Sequence, residues 1–377
     1  MKIGYDAKRI FHNFRGLGNY SRTLFEGLNK FYPDNSYYLY TPPFKDKRSL
    51  EWIKKYPHAF LKTPTSTFAK TFSSAWRSLF MSDILAKDDL DVYHGLSHEL
   101  PRNISKLKCK KIVTIHDLIF LRYPELFPWI DRVVYLKKFK HSCENADIIF
   151  AICQQTKNDI IEMLHIPEQK IEVVYQSCHY YFYNKLEPQI NENVLNKYNV
   201  KKPFFLSVGA IEPRKNTIEI VNAFYQIQND VVEDLVIIGK GKSYQDKLEA
   251  RIQELKLNTR VKILSTVEFK ELASFYQEAT CFIYPSLFEG FGLPVVESFF
   301  SETPVILSHG SSFPEAAGEA GYFINPHKPE EIAEGMLKFS TDKNFAIEKI
   351  RLGRKHVEKF HWRNTSENVM SQYKKIL

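Results

Sequence analysis

The regular alternation of short apolar runs with helix-like segments is the feature that most constrains the fold. It dominates the chain from residue 203 onward, where the segments between the runs have the hydrophobic period of helices. Such alternation is typical of βαβ units, in which helices cover both faces of a parallel sheet. The second half is therefore predicted to be a doubly wound α/β domain. Its predicted strands are "FFLSVGA", "DLVIIGKG", "RVKILSTV", "CFIYPS" and "TPVILSH".

The first half shows the same pattern less clearly. Single cores stop growing near about 250–300 residues, so a chain of 377 residues is expected to form two domains. We place them at 1–180 and 203–360, with a linker at about 178–202, where the strand pattern is lost. Strands of the first domain are predicted at "KIGYD", "YYLYT", "DVYHG", "KIVTIHD", "DIIFAIC" and "KIEVVYQ".

Composition excludes several classes of protein. No apolar run approaches the roughly 18 residues of a membrane span. The start, "MKIGYDAKRIF", carries charge where a signal peptide needs its apolar core, so we expect a cytoplasmic protein. The five cysteines are odd in number, scattered and free of Cys-x-x-Cys spacing, which indicates neither a disulfide framework nor a zinc site.

The net charge of +8 is unevenly distributed. Residues 1–180 hold 27 Lys/Arg against 19 Asp/Glu, whereas residues 181–377 hold 25 of each. The basic half could face a membrane surface or a phosphate-bearing substrate, or it could be a solvated surface that aids solubility. Nucleic-acid binding would depend on this charge alone, and we do not predict it.

Ligands of open parallel sheets bind beyond the carboxyl ends of the strands, so the residues that follow each strand are candidates for a site. After the first strand, Gly16 and Gly18 would let the backbone turn tightly before a helix whose amino-terminal amides attract phosphate. An ordinary turn uses the same glycines. In "TIHDLIF", His116 could bind a substrate hydroxyl or share a proton. Alternatively, Asp117 caps a turn and His116 is an interior histidine with satisfied ring nitrogens.

The sequence "IEPRKN" places two cations just before a predicted helix. Arg214 and Lys215 precede Asn216, the predicted N-cap. Cations at a helix amino terminus are unfavourable unless an anion lies between them. A diphosphate would suit the planar fork of arginine and the point charge of lysine. A solvated surface is the alternative.

The stretch "PSLFEGFGLPVVES" combines two glutamates with a glycine loop. Pro294 is favoured at the first position of a helix, which predicts a helix from about Leu293 with Glu297 in its first turn. Glu289 lies on the loop after "CFIYPS" and could reach sugar hydroxyls, whereas Glu297 could accept hydroxyls of a ring such as ribose. A capping interaction is the alternative for Glu297. Gly290 and Gly292 would let the intervening backbone approach the ligand closely, with amides from about Phe291 onward converging on it.

Two further motifs are weaker. Asp89-Leu90-Asp91 matches the Asp-x-Asp of metal-dependent sugar transferases, but it precedes its strand and would lie at the amino-terminal edge of the sheet. We therefore predict no metal site there. The aromatic helical face of residues 68–81 could pack in a core or lie on a membrane.

Together, these motifs resemble those of the family 4 glycosyltransferases. The motifs are "GLGNY", "HD", Arg214-Lys215-Asn216, Glu289-x7-Glu297, "SSFPEAAGEAGYFINP" and the terminal "FHWRNTSENVMSQYKKIL". The resemblance implies a GT-B fold, α/β, with two Rossmann-like doubly wound parallel-sheet domains facing a cleft, and a last helix at about 361–377 that packs back on the first domain. It also implies retaining transfer without a metal ion, in which the departing phosphate takes the acceptor proton.

The resemblance assigns roles to the motif residues. Arg214 and Lys215 would bind the donor diphosphate, Glu289 the hexose and Glu297 the ribose, and His116 would lie near the reacting carbon. The catalytic candidates are thus Arg214, Lys215, Glu289 and His116; the donor-binding candidates are Gly16, Gly18, Gly209, Gly290, Phe291, Gly292, Leu293 and Glu297; Asp117 lies on the acceptor side. One departure is Gln176-Ser177, where the family commonly has an Asn-Gly turn.

We therefore predict a hexosyltransferase that uses a nucleotide sugar to build a cell-surface glycan. The "GLGNY" and "SSFPEAAG" segments resemble those of mannosyltransferases and favour GDP-mannose as donor, with no cofactor or metal. The expected acceptor is a glycan or a lipid-linked sugar at the inner face of the membrane. The alternative is a catalytically silent nucleotide-sugar-binding or scaffolding protein of the same fold.

Overall fold

The chain divides into two compact units. The computed structural model describes residues 1–64 and 81–377. The first unit comprises Met1–Ser177 with His361–Leu377, and the second comprises Cys178–Phe360. The predicted aromatic segment 68–81 lies, apart from Met81, outside the described residues. The predicted linker, about 178–202, falls within the second unit.

The described residues of the first unit form a parallel sheet of seven strands, in the order β3-β2-β1-β4-β5-β6-β7. Six strands coincide with predicted apolar runs. The strand β3 was missed because its three residues, Phe60–Lys62, are too few to show the pattern of a strand. The strands are β1 (Lys2–Asp6), β2 (Ser36–Tyr40), β3 (Phe60–Lys62), β4 (Val92–Gly95), β5 (Lys110–Ile115), β6 (Ile148–Ala151) and β7 (Ile171–Val173).

Helices follow most of these strands and cover the sheet. Helix α2 shows why: Tyr20, Leu24 and Leu28 recur at helical spacing and are buried together. The helices are α1 (Lys8–His12), α2 (Gly16–Phe31), α3 (Lys47–Lys54), α4 (Met81–Asp88), α5 (Ile119–Arg122), α6 (Trp129–Asn145) and α7 (Gln154–Leu164).

The second unit has a parallel sheet of six strands, in the order β10-β9-β8-β11-β12-β13. The strand order reverses between β8 and β11, and ligands of doubly wound sheets bind at such switch points. The predicted doubly wound α/β class is confirmed for both units. The strands are β8 (Phe204–Val208), β9 (Asp234–Ile238), β10 (Val261–Leu264), β11 (Cys281–Tyr284), β12 (Val305–Ser308) and β13 (Tyr322–Ile324).

Helices of the second unit begin with one in the predicted linker. That helix is α8 (Pro188–Lys197), and it contacts α11 (Leu272–Glu278). The Asn191 side chain of α8 donates a hydrogen bond to Glu278 of α11 at 2.8 Å. The helices of the second unit are α8 (Pro188–Lys197), α9 (Thr217–Ile227), α10 (Ser243–Glu254), α11 (Leu272–Glu278), α12 (Leu293–Phe300), α13 (Phe313–Ala317), α14 (Pro329–Thr341) and α15 (Lys343–Val357).

The last helix, α16 (Trp362–Ile376), belongs to the first unit and packs against α2. The two helices approach closely at Gly27, where a Cβ atom would lie 2.3 Å from the Ser366 hydroxyl. Tyr373 is fully buried and its hydroxyl hydrogen-bonds to Nδ1 of His94 at 2.6 Å. Within the described ranges, no helix combines the length and apolarity needed to cross a membrane.

Candidate active site

The loop after β8 carries the two predicted cations of the second unit. Arg214 and Lys215 lie in a short 3-10 turn, Pro213–Lys215, which ends at Asn216 before α9 begins. Asn216 occupies the predicted N-cap position in a left-handed conformation, but its side chain does not cap the helix. Its amide instead donates to the carbonyl of Pro326 at 2.6 Å, which fixes the loop.

Both cations converge on one buried carboxylate. Oε1 of Glu289 lies 2.8 Å from Nη1 of Arg214 and 2.5 Å from Nζ of Lys215. The lysine also donates to the Tyr284 hydroxyl at 2.7 Å, and the arginine pairs with Glu212 at 2.6 Å. The loops that follow β8 and β11, the neighbouring strands at the switch point, are thus joined by charge-assisted hydrogen bonds.

The electrostatics keep Glu289 and Arg214 ionised. Burial by itself would raise the pKa of Glu289, but the charges of Lys215 and Arg214 lower it to about 2. Burial lowers the pKa of Lys215, and the attraction of Glu289 offsets part of that effect. Burial would also lower the pKa of Arg214, yet Glu289 and Glu212 raise it overall. The turn therefore brings two basic side chains together beside an ionised carboxylate, and an anionic ligand could take the place of that carboxylate.

Serine hydroxyls from the loop after β12 hold the backbone of Glu289. The Ser311 hydroxyl accepts from the Glu289 N–H at 3.1 Å and donates to its carbonyl at 2.7 Å. The Ser312 hydroxyl donates to the same carbonyl at 3.1 Å. Neither serine was predicted, although both lie in the "SSFPEAAG" motif. Three neighbouring strands thus contribute to the position of one side chain.

The glycine loop after β11 leads into α12 as predicted. Helix α12 begins at Leu293, and Gly292 at its N-cap has φ 97°, a left-handed conformation that favours glycine. Gly209, after β8, also has a positive φ and faces the Lys215 side chain. The Phe291 side chain is buried against Phe360, at 5.1 Å between ring centroids. The predicted ligand contacts of Gly209, Gly290, Phe291, Gly292 and Leu293 stay predictions.

The prediction that Glu297 lies in the first turn of its helix is wrong. Because α12 begins at Leu293, Glu297 lies beyond the first turn, where an amino-terminal capping role is excluded. Its carboxylate is buried and accepts a hydrogen bond from the Tyr276 hydroxyl at 3.1 Å. Burial raises the pKa of Glu297 to about 7. The ribose role of Glu297 stays a prediction.

In the first unit, Gly16 and Gly18 do not form the predicted turn before a helix, because α2 itself begins at Gly16. A Cβ atom on Gly18 would lie 1.7 Å from the carbonyl oxygen of Asn13, so only glycine fits against this loop. A Cβ atom on Gly16 would meet no atom within 4 Å. The close approach of α2 to the preceding loop therefore depends on Gly18.

His116 and Asp117 follow β5 and make internal contacts. Nε2 of His116 donates to the carbonyl of Leu96 at 2.9 Å, and Nδ1 accepts from the Gln176 amide at 2.6 Å. Burial lowers the pKa of His116 to about 4, so the imidazole is neutral. Asp117 accepts from the N–H of Ile119 at 3.0 Å and caps the turn. These are the contacts of the alternative interpretation, an interior histidine and a turn cap.

Asp89 and Asp91 lie before β4, at the amino-terminal edge of the first sheet. Asp91 accepts from the N–H of Lys2 at 2.7 Å, while the Asp89 side chain is almost fully exposed. Among the residues that the structure describes, no group of three or more side chains could hold a metal ion.

Two family models match the chain. Residues 14–177 match the model described as "Glycosyltransferase Family 4", and residues 190–356 match "Glycosyl transferases group 1". The boundary between the two matches falls near the boundary between the structural units.

Similar curated proteins include two mannosyltransferases. O-antigen chain mannosyltransferase B of Escherichia coli is 27% identical over 289 residues, which cover 75% of this chain and 74% of that protein. O-antigen chain mannosyltransferase RfbU of Salmonella typhimurium is 28% identical over 214 residues, 57% of this chain and 56% of that protein.

Solved structures share the fold over the full length. HepE of Anabaena, in complex with UDP and glucose, superposes with a TM-score of 0.77 at 15% identity and covers 100% of both chains. Sucrose-phosphate synthase of Thermosynechococcus elongatus gives a TM-score of 0.79 at 18% identity, over 100% of this chain and 99% of that one. At this level of identity the likeness shows the fold alone.

Proposed function

Because the chain belongs to glycosyltransferase family 4, we propose that it moves a hexose from a nucleotide sugar to a glycan or lipid-linked acceptor with retention of configuration and without a metal ion. Glycosyl transfer is the activity of the family, and the protein is related to enzymes of O-antigen synthesis. The donor, the stereochemistry, the acceptor and the independence from a metal ion are the parts proposed.

The buried turn with Arg214 and Lys215 is the observation that carries the proposal. It lies at the carboxyl end of β8, beside the switch point, where the donor diphosphate would compete with Glu289 and Glu212 for the same N–H donors. Preorganised cations stabilise charge that develops in a transition state, and this pair would stabilise the departing diphosphate. They would thereby supply the positive charge that a metal ion supplies in other transferases.

Retention follows from attack on the face that the diphosphate leaves. The bond from the anomeric carbon to the phosphate oxygen breaks, the bond to the acceptor oxygen forms, and the acceptor proton passes to the departing phosphate. Glu289 is a poor general base because its pKa is lowered to about 2 and its carboxylate is bound to two cations. Its proposed role is to hold the hexose hydroxyls while catalysis depends on position and charge.

The similar proteins narrow the choice of donor. Two of them are named mannosyltransferases, which supports GDP-mannose as the first donor to test. HepE was solved with UDP and glucose, so UDP-glucose belongs in the same panel. We place the reaction at the inner face of the membrane, where a lipid-linked acceptor for a cell-surface glycan would be reached.

Donor turnover tests the proposal and separates it from a silent nucleotide-sugar-binding protein. Thermal stabilisation by each nucleotide sugar identifies the donor. Transfer to an acceptor extract is then measured with and without EDTA, and the new linkage is assigned by NMR. We expect an α-linkage from an α-linked donor, unchanged by EDTA. Thermal stabilisation by a nucleotide sugar without sugar transfer would favour a catalytically silent nucleotide-sugar-binding protein. Inhibition of transfer by EDTA would contradict the metal-free mechanism.

A further inference from the structure

The amino-terminal half of α6 and the turn before it carry a cluster of exposed apolar side chains. Sixteen large apolar side chains are exposed in the described residues, and seven of them lie between residues 126 and 136. Single exposed apolar residues are ordinary, but a contiguous group indicates an interaction site. Trp129 is 66% exposed and Ile130 is 57% exposed. The α6 apolar surface comprises Leu126, Trp129, Ile130, Val133, Val134, Tyr135 and Leu136.

The carboxyl-terminal half of α6 is packed into the first unit and anchors the helix. Phe139 is buried and stacks on His98 at 4.4 Å between ring centroids. Cys143 is fully buried, and the Ser142 hydroxyl accepts from the N–H of Leu100 at 2.8 Å. The apolar side chains are therefore exposed on an anchored helix and not on a loose segment.

Positive charge accompanies the α6 apolar surface. Residues 101–145 hold ten Lys/Arg and four Asp/Glu, so this segment accounts for most of the net charge of +8. The loop at 101–109 lies beside the carboxyl-terminal half of α6, since Nε2 of His141 donates to the carbonyl of Pro101 at 3.3 Å. An apolar surface next to basic side chains is complementary to the surface of an anionic bilayer. Two copies of this segment would repel each other, which argues against self-association.

We infer that the α6 apolar surface docks the first unit on an anionic lipid bilayer. Trp129, Ile130 and Val133 enter the boundary between headgroups and acyl chains, while basic residues of 101–145 contact lipid phosphates. The inference rests on the proposed function for its purpose, because a membrane-bound enzyme reaches a lipid-linked acceptor by diffusion in two dimensions. It names the face of the molecule that makes this contact.

Vesicle binding by the full chain tests the inference. The vesicles are phosphatidylcholine with one third phosphatidylglycerol, and pure phosphatidylcholine is the comparison. The combined variant Trp129→Ser, Ile130→Ser, Val133→Ser should bind the anionic vesicles at least about tenfold more weakly than the unchanged chain. The matched control replaces Ile190, Val232 and Ile347, exposed side chains of the second unit, by serine and should bind normally.

Tryptophan emission gives a second measurement. Trp52 and Trp362 are buried and Trp129 is exposed, while Trp76 lies outside the described residues. The measurement therefore uses a chain with Trp76→Phe, whose emission anionic vesicles should shift to shorter wavelength. The variant Trp129→Phe should still bind but lose most of this shift. Higher salt should weaken binding because it screens the basic residues.

Three results would overturn the inference. The first is that the chain does not bind anionic vesicles, and the second is that the combined variant binds them as well as the unchanged chain does. The third is a dimer in sedimentation velocity that the combined variant abolishes, because the α6 apolar surface would then be an interface between two copies. Thermal stabilisation by nucleotide sugars is measured on the same samples. Donor binding without vesicle binding would refute the docking surface alone, and vesicle binding without any nucleotide-sugar effect would refute the proposed donor chemistry alone.

Discussion

The hydroxyl of Ser311 contacts both backbone polar groups of Glu289, accepting from its N–H and donating to its carbonyl. The proposed hexose contact of Glu289 therefore depends on a residue from the next loop. Small displacements of a positioning group reduce turnover by up to about 100-fold.

We expect Ser311→Ala and Ser311→Gly to lower transfer at least about tenfold through kcat, with the donor KM changed less. Ser311 has φ 53°, where glycine is relaxed, so the pair separates the hydroxyl from backbone strain. Steady-state kinetics with saturating acceptor measures both parameters. Full activity of Ser311→Gly would show that the hydroxyl does not position Glu289. The control is Ser371→Ala, which changes an exposed serine on α16.

Removal of the Lys215 charge should abolish transfer without unfolding the protein. Lys215→Ala leaves Glu289 paired with Arg214, but it removes a cation proposed to stabilise the leaving diphosphate. We expect kcat to fall at least about 100-fold. Product release from labelled donor measures the rate, and far-UV circular dichroism checks the fold. Lys247→Ala, an exposed lysine on α10, should keep full activity; unchanged turnover in Lys215→Ala would refute the diphosphate assignment.

The raised pKa of Glu297 predicts a pH dependence of stability. Burial raises the pKa from 4.5 to about 7, so folding favours the protonated carboxyl. This contribution is present below pH 4.5 and is lost as the pH rises through about 7. Glu297→Gln mimics the protonated form and should exceed the unchanged chain in free energy of unfolding by about 3 kcal/mol at pH 8, with little difference near pH 4.5. Urea unfolding across this range measures the difference, and a constant difference would contradict the prediction.

The same carboxyl should make donor binding depend on pH. In the predicted ribose role, the ionised Glu297 would accept hydrogen bonds from both ribose hydroxyls. Donor affinity should then fall as the pH drops below about 7, where the carboxyl is protonated. The Tyr276 hydrogen bond lowers the pKa of Glu297, and Tyr276→Phe should therefore move the midpoint to higher pH. Calorimetric titration with the nucleotide at a series of pH values measures the affinity and the midpoint of its pH dependence. An unmoved midpoint would show that another group titrates.

Two glycines at the start of α2 form a matched pair. Alanine at Gly18 would overlap the Asn13 carbonyl, and overpacking of this kind costs about 1–3 kcal/mol or more. Alanine at Gly16 meets nothing and removes a poor helix former, so Gly16→Ala should be neutral or stabilising by up to about 1 kcal/mol. Thermal unfolding of both variants measures the contrast. Equal melting temperatures would refute the close approach at Gly18.

The fold was largely predictable because the buried strands of both sheets are apolar runs separated by periodic helices. β3 was not predicted because three residues are too few to show such a run. The start of α12 was predicted from Pro294, yet Glu297 was misplaced because a helix that begins at Leu293 ends its first turn before that residue.

The charged residues of the site could be predicted from the sequence, but the residues that position them could not. Arg214, Lys215 and Glu289 were found from residue type and place after strands, and the ion pairs that join them follow from the neighbouring positions of β8 and β11. The hydrogen bonds between Ser311 and the Glu289 backbone join two loops that are distant in sequence. The same is true of the contact between Gln176 and His116, which are 60 positions apart. Such contacts are set by tertiary packing, which leaves no local pattern.

The membership of α16 in the first unit has a consequence for synthesis on the ribosome. Val369, Met370 and Tyr373 complete the core that β1 and α2 begin, although the whole second unit is translated between them. The apolar groove that α16 fills therefore stays uncovered until the second unit has been translated and α16 has emerged. A truncated chain that lacks α16 would present that groove to chaperones.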